Sequence, residues 1–264
     1  LCATQQSQHA TFLAKRALDN EPDLIIVAGG DGTVNEVIAG MAGTRVPLLV
    51  LPCGTANVLA KEIGLPRDLF QSIDLLNTGT VRRIALGKAG ERYFALMAGI
   101  GVDASIVAAV NPRLKQKLGQ MAFWIAGLRQ FCLYSFPSFE IATEGGLHRG
   151  TFAVIARARS YGGPFSIASR ADLFSDKFDI CIYQSESRWR YLSYLFFTAL
   201  GRHVSVPDVR HLSAERVDAR GDSNVWFQVD GELGGRLPQR FTIEKDALSL
   251  ILPSSAAFNQ PLLR

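Results

Sequence analysis

Apolar and polar positions along the first third of the chain alternate between two rhythms. Leu24 to Ala28 (LIIVA) and Val46 to Leu51 (VPLLVL) are short continuous apolar runs, the pattern of buried strands. His9 to Leu18, Thr33 to Met41 and Ala56 to Ile63 return apolar residues every three or four positions and predict helices, the last ending at Gly64-Leu65-Pro66. Strand and helix in turn imply a parallel sheet with helices on both sides. After Gly79 the rhythm becomes strand-like. Strands are predicted over Val81 to Leu86, Arg92 to Ala98, Phe139 to Thr143, Thr151 to Ala158, Phe178 to Tyr183, Ser223 to Val229 and Arg240 to Leu252, with glycine-bearing turns between many of them. Two helices interrupt them, Pro112 to Leu133 and Trp189 to Gly201. The organisation expected is an α/β domain over residues 1–81, a β-rich domain over 82–252, and a tail, 253–264, packing back on the first domain. The chain opens in LCATQQSQHA as though a strand had just ended, which is how a fragment would begin.

Composition changes this picture little. The chain has 264 residues, 48% of them hydrophobic, enough for a substantial core. Its apolar run at Tyr191 to Gly201 is far short of the roughly 20 residues that cross a bilayer. Cys2, Cys53, Cys132 and Cys181 lack zinc-site or disulfide spacing, and no secretory signal opens the chain, so a cytoplasmic setting is expected. Net charge is +4 but unevenly spread: Ala104 to Phe139 and Gly145 to Ala171 contain no acid, while arginines recur there and at Arg188, Arg190 and Arg202. That distribution suits a solvated face, or a basic surface for anionic lipid head groups or nucleic acid. No nucleic-acid-binding motif accompanies it.

Chemistry concentrates at two turns. Gly29-Gly30-Asp31-Gly32-Thr33 joins a strand to a helix, where backbone N–H groups and the positive helix end suit a phosphate chain. The glycines permit positive φ and close approach. Asp31 belongs in such a cradle only with a cation or a proton to take, and Asn35 and Glu36 lie one turn on to support it. Pro52-Cys53-Gly54-Thr55-Ala56-Asn57 repeats the arrangement after the second strand. There Thr55 can donate its hydroxyl to a phosphate oxygen and Asn57 can brace the loop. Two such loops after neighbouring parallel strands point at one crevice.

Together these strings resemble the diacylglycerol kinase catalytic-domain family, which includes bacterial lipid kinases and sphingosine kinases. GIGVDASIV (Gly99 to Val107), SYGGPFSIASRADLFSDKFDICIY, QVDGE (Gln228 to Glu232) and TQQSQHA (Thr4 to Ala10) resemble further elements of that family in the same order. The resemblance implies a Rossmann-like α/β domain of the kind shared with NAD kinases, followed by a β-sandwich-like domain. It implies an ATP-dependent lipid kinase working with Mg²⁺ at the inner face of the cytoplasmic membrane. Thr4, the loop Gly29, Gly30, Asp31, Gly32, Thr33, Val34, Asn35 and Glu36, and Gly54, Thr55 and Asn57 of the second loop would hold ATP. Asp103 would join Asp31 in a water-linked magnesium network. Leu173 and Phe178, through carbonyls, and Asp176 would hold a structural Mg²⁺. Glu232 would take the proton from a lipid hydroxyl, with Asp230 beside it and Asp31 as the rival base. Phosphoryl transfer to an aliphatic hydroxyl needs such a base, a metal and donors to the γ-phosphate.

Three departures stand out. Val58 replaces the acid that follows Asn57 in the family's second loop, Lys177 replaces a glycine, and the family's first strand with its Asn-Pro element is absent from this sequence. NAD kinases carry GGDGT too, but their N-x-G-x-x-G-F-L signature is not matched by LPCGTANVLAKEIGLP. Val58 and Lys177 motivate a third reading, a nucleotide-binding pseudo-kinase, which the presence of both Asp31 and Glu232 opposes. On the lipid side, Trp189, Leu192, Leu195, Phe196 and Ala199 form a helical stripe, and Met121 to Leu133 is comparably apolar. Rimmed by arginines, such stripes suit peripheral contact with an anionic membrane. A second copy of the chain is a further candidate partner.

Overall fold

The computed structural model describes residues 1–110, 127, 133–160, 167–199 and 206–254. Most of the helix expected over Pro112 to Leu133, the Tyr-Gly-Gly of the SYGG string and nearly all of the tail lie outside them.

The α/β part holds α1 (His9–Leu18), β1 (Ile25–Gly29), α2 (Asp31–Met41), β2 (Pro47–Pro52), α3 (Val58–Glu62) and α4 (Leu69–Thr78). The apolar pattern does not predict α4. Asp68 caps it by accepting from the Gln71 N–H at 3.0 Å, while Leu69, Phe70, Ile73 and Leu76 stay exposed and blur its periodicity. There follow β3 (Thr80–Ala89), β4 (Arg92–Phe94), β5 (Met97–Gly101), α5 (Val102–Ala109), β6 (Phe139–Thr143), β7 (Gly146–Gly150), β8 (Phe152–Ala156), β9 (Phe178–Tyr183), α6 (Arg188–Ala199), β10 (Val209–Ala214), β11 (Arg216–Gly221), β12 (Trp226–Val229), β13 (Glu232–Arg236) and β14 (Gln239–Leu252).

Two sheets result. One has eight strands in the order β1-β2-β14-β11-β6-β7, with β3 on β14 and β4 on β3; the other has six, β10-β9-β8-β5-β12-β13. The first is mixed. β1 runs parallel to β2, and β14 lies parallel to β2 at Ser249↔Pro47, but its remaining pairs are antiparallel. β14 is the spine: its first half pairs with β11, its second half with β2, and the register shifts between Glu244 and Leu248. β14 thus extends the parallel sheet begun by β1 and β2. Phe94, Phe139, Phe178, Phe227 and Phe241 pack in one core cluster with residues from both sheets. Residues of the parallel strands, the first helices and the opposite faces of β8 and β9 form a second cluster. β5, β8 and β9 are buried along their whole length, so they read as unbroken apolar runs and not as alternations.

The single strand expected over Arg92 to Ala98 is two, β4 and β5. Between them the backbone N–H groups of Ala95, Leu96 and Met97 leave the ladder and turn onto the Asp230 carboxylate. The strand expected to run to Ala158 stops at Ala156 because the Arg157 and Ala158 N–H groups both donate to the Leu96 carbonyl. Among the described residues no helix is long and apolar enough to cross a membrane, and Cys2, Cys53 and Cys181 are free.

Candidate active site

The chain leaves β1 at Gly29 and enters α2 through Gly30, which is extended (φ −87°, ψ 179°) and places no side-chain cap on the helix. The first N–H groups of α2 are thereby left to an anion. The second turn presses directly on this one. A Cβ added to Gly54 would lie 2.5 Å from the Gly30 Cα and 2.8 Å from Asn57 Oδ1. The Cys53 N–H also donates to the Gly29 carbonyl at 3.0 Å. Glycine is required here by the contact between the turns. Positive φ, anticipated for these glycines, is not what they supply: Gly29, Gly30, Gly32 and Gly54 all lie outside that region. Asn57 takes the left-handed conformation instead (φ 48°), its side chain accepting from the Gly54 N–H at 2.8 Å and donating to the Gly54 carbonyl at 2.7 Å. Gly32 has open space where a side chain would stand, which leaves room for a bulky anion.

Asp31 faces the second turn, its Oδ1 accepting from the Val58 N–H at 2.6 Å. Position 58 therefore takes part through its backbone, while the valine side chain is buried in the core. Other expected nucleotide contacts sort themselves by burial. Thr4 and Thr55 are exposed and Thr33 is half-buried. Val34 is 3% exposed and its N–H already donates to the Gly30 carbonyl, so neither its side chain nor its amide is open to a ligand. The Glu36 carboxylate, anticipated beside Asp31, accepts from the N–H groups of Gln8 (2.8 Å) and Ala10 (3.0 Å). It caps α1 and thereby ties the start of that helix to α2. Asn35 Nδ2 is buried without a hydrogen-bond partner among the described residues.

On the other side, Asp230 and Gly231 (φ 47° and 81°) make the two-residue turn between β12 and β13, a conformation that suits Asp-Gly. Asp230 turns inward: Oδ2 accepts from Ala95 N–H at 2.7 Å, and Oδ1 from Leu96 and Met97 at 3.0 and 2.8 Å. Burial pushes its carboxyl up to about 6 against the pull of those three donors, so it is mainly ionised at neutral pH and above. With both oxygens engaged, Asp230 positions the turn and does not face a substrate. Asp230→Asn would set an NH₂ against an N–H donor, and the expected cost is about 1–3 kcal/mol of stability, read as a lower Tm. A Tm equal to wild type would show the carboxylate holds nothing.

Glu232 begins β13 with its side chain 39% exposed, and Arg92 Nη2 of β4 lies 3.4 Å from Oε2. Asp103, in the first turn of α5, accepts from Gln228 Nε2 at 3.0 Å, and Gln228 Oε1 in turn accepts from the Gly231 N–H at 2.7 Å. Gln228 thus ties Asp103 to the turn that carries Glu232. Gly99 makes room for this: a Cβ there would fall 1.9 Å from Asp103 Oδ2. Arg92 carries no sequence signal of its own, and only the fold brings it to the turn; Gln228 lies in the QVDGE string, but nothing in that string shows its link to Asp103. α2 packs against β4, and α5 against β12 and β13, so the elements bearing Asp31, Arg92, Asp103 and Glu232 are neighbours. Two cavities elsewhere, of about 130 and 380 Å³, are not lined by any of these four. The chemistry of the turns, not enclosed volume, marks the site.

The third expected cluster is different. The Leu173 carbonyl accepts from Arg157 Nη2, and Asp176 Oδ2 lies 3.6 Å from Lys245 Nζ. Phe178 opens β9. Two cations of the protein itself thus stand at two of the three groups anticipated to hold a structural metal. Among the described residues no three acids, histidines or cysteines are grouped to hold one.

Similarity to known proteins agrees with the geometry. Residues 1–89 match the model of the diacylglycerol kinase catalytic domain, and residues 97–252 that of the YegS C-terminal NAD kinase beta sandwich-like domain. A diacylglycerol kinase of Bacillus subtilis (strain 168) is 31% identical over 97% of this chain and 86% of its own. One from Staphylococcus epidermidis (strain ATCC 12228) is 29% identical over 99% and 84%. A crystal structure titled as a diacylglycerol kinase from Bacillus anthracis str. Sterne superposes with a TM-score of 0.75 at 21% identity, covering 96% of this chain and 85% of that one. Two interlocked glycine turns, a sandwich that hands a strand back to them, and relatives along nearly the whole length make this chain a member of the diacylglycerol kinase family, a lipid kinase.

Proposed function

We propose that this lipid kinase transfers the γ-phosphate of ATP to a hydroxyl of diacylglycerol at a membrane surface. The observation that carries the reading is the interlock of the two turns: Gly30 against Gly54, with Asp31 held by the Val58 N–H beside the uncapped start of α2. In that setting the N–H groups of α2 and the hydroxyls of Thr33 and Thr55 bind and orient the phosphate tail. Asp31 keeps Oδ2 for a cation. Mg²⁺ is commonly held by one or two carboxylates together with substrate phosphates, so a single carboxylate here fits it. Bound there, Mg²⁺ would supply charge neutralisation on the phosphate oxygens. Glu232, kept in place by Arg92, takes the proton of the lipid hydroxyl, and Gln228 with Asp103 sets the position of its turn. Diacylglycerol is the acceptor named for the relatives.

The test is a panel of acceptors in mixed micelles with labelled ATP: diacylglycerol, phosphatidylglycerol, ceramide, a sphingoid base and, separately, NAD. Mg²⁺-dependent label in diacylglycerol is expected. Label in another lipid would reassign the acceptor, and label in NAD alone would overturn the reading.

Membrane contact falls to α6. Tyr191 and Tyr194 face inward, where the Tyr191 hydroxyl meets Thr151 Oγ1 at 2.8 Å and Tyr194 donates to Asp208 at 2.6 Å. Trp189, Leu192 and Phe196 stand on the opposite face, 72%, 44% and 62% exposed, next to the exposed Arg188. A helix anchored by tyrosines on one side and apolar on the other, with a basic start, suits an anionic bilayer. Replacing Trp189 and Phe196 together by Ser should weaken binding to phosphatidylglycerol vesicles by about tenfold or more while lowering Tm by no more than a few degrees. Both side chains are mostly exposed, so the fold depends on them less than the membrane does, where burying each in lipid gains about 1.5–3 kcal/mol. Equal vesicle sedimentation of variant and wild type would remove α6 from the interface.

A further inference from the structure

We propose that the segment 172–178 is held by the protein's own cations, Arg157 and Lys245, in place of the divalent metal that family resemblance implies at Leu173, Asp176 and Phe178. Arg157 follows β8 and is fully buried. Its Nη2 donates to the Leu173 carbonyl and its Nη1 to the Ser175 carbonyl at 2.8 Å. Arg159 continues the pattern, Nε donating to the Ala171 carbonyl at 3.0 Å. Alternate carbonyls along 171–175 are thus taken by guanidinium N–H groups, which are donors only. Burial pulls the Arg157 guanidinium down to about 10, with Asp176 and Asp172 opposing that fall, so it stays charged at neutral pH.

The carboxylates have partners within the protein as well. Asp172 Oδ1 accepts from the Phe174 N–H at 3.0 Å, and Lys245 Nζ bridges Asp176 (3.6 Å) and Glu215 (3.3 Å). A small divalent cation demands near-octahedral oxygen ligands at about 2.0–2.1 Å. It would have to take the Leu173 oxygen from a buried like charge that has nowhere wet to go. Lys177, which stands where the family has glycine, is exposed and free of positive φ, so it neither strains the segment nor needs a metal to hold it. The sheet bearing β8 and β9 is therefore complete without a metal. This holds whichever lipid the enzyme phosphorylates.

The experiment uses nucleotide-free protein, its metal content measured by mass spectrometry as purified without chelator and its Tm recorded after EDTA treatment with and without millimolar Mg²⁺, for wild type, Asp176→Asn and Arg157→Met. Expected are no stoichiometric metal, a Mg²⁺ response of Tm that is the same in wild type and Asp176→Asn, and a Tm lowered by about 5–15 °C in Arg157→Met that Mg²⁺ does not restore. One retained metal per chain, or a Mg²⁺-dependent rise in Tm that Asp176→Asn abolishes, would overturn the proposal. Should Arg157→Met not fold, the wild-type and Asp176→Asn measurements decide by themselves.

Discussion

Asp31→Asn is expected to fold with an unchanged Tm and to lose Mg²⁺-dependent lipid phosphorylation by about 10²–10⁴-fold. The substitution is nearly isosteric, and an amide oxygen can still accept the Val58 N–H that now reaches Oδ1 at 2.6 Å. The contact between Gly30 and Gly54, which depends only on backbone, is untouched. What disappears is the negative charge beside the start of α2. Bare phosphates, which the helix N–H groups attract, should bind at least as well to the variant. The predicted signature is therefore a collapse of turnover with nucleotide binding retained and with a weakened dependence on Mg²⁺. Isothermal titration with ATP, with and without Mg²⁺, reads this directly. Wild-type turnover in Asp31→Asn would leave the two turns without a catalytic carboxylate.

The second large effect is expected at Glu232. Glu232→Gln retains an oxygen for Arg92, now 3.4 Å from Oε2, but cannot take a proton. Turnover should drop by about 10²–10⁴-fold, with KM for ATP within about threefold of wild type. That split separates a base from a residue that merely holds the β12–β13 turn, whose loss would lower Tm as the Asp230 change does. Normal turnover in Glu232→Gln would transfer the role of base to Asp31. The double variant should be little worse than the more damaging single one, because groups that act on one transfer do not add independently.

Much of this site is legible in the amino-acid sequence. GGDGT, PCGTAN and DGE are local signals, each a turn whose residues lie within a few positions of one another. The glycine run does mark a place of close approach, as its composition suggests. Positive φ is not the reason for it, because the neighbour that demands glycine is the other turn. Val34 illustrates a second limit. It sits inside the diagnostic string, yet the helical period turns it into the core at 3% exposure. Glu36 illustrates a third: its position one turn beyond Asp31 suggests a joint role, while its carboxylate serves α1.

From the sequence alone came the glycine turns, the strand–helix alternation of the first third, the strand-rich remainder and the family to which they point, because turns and periodicities are written in neighbouring residues. The tertiary structure decided how β14 returns beside β2, why Asp230 looks inward, and which cation sits at Leu173. Those outcomes depend on partners far apart in the chain, 133 to 135 positions in the case of Asp230 and its three N–H donors. A carboxylate's role is set by what surrounds it after folding, and no local pattern of apolar and polar residues carries that information.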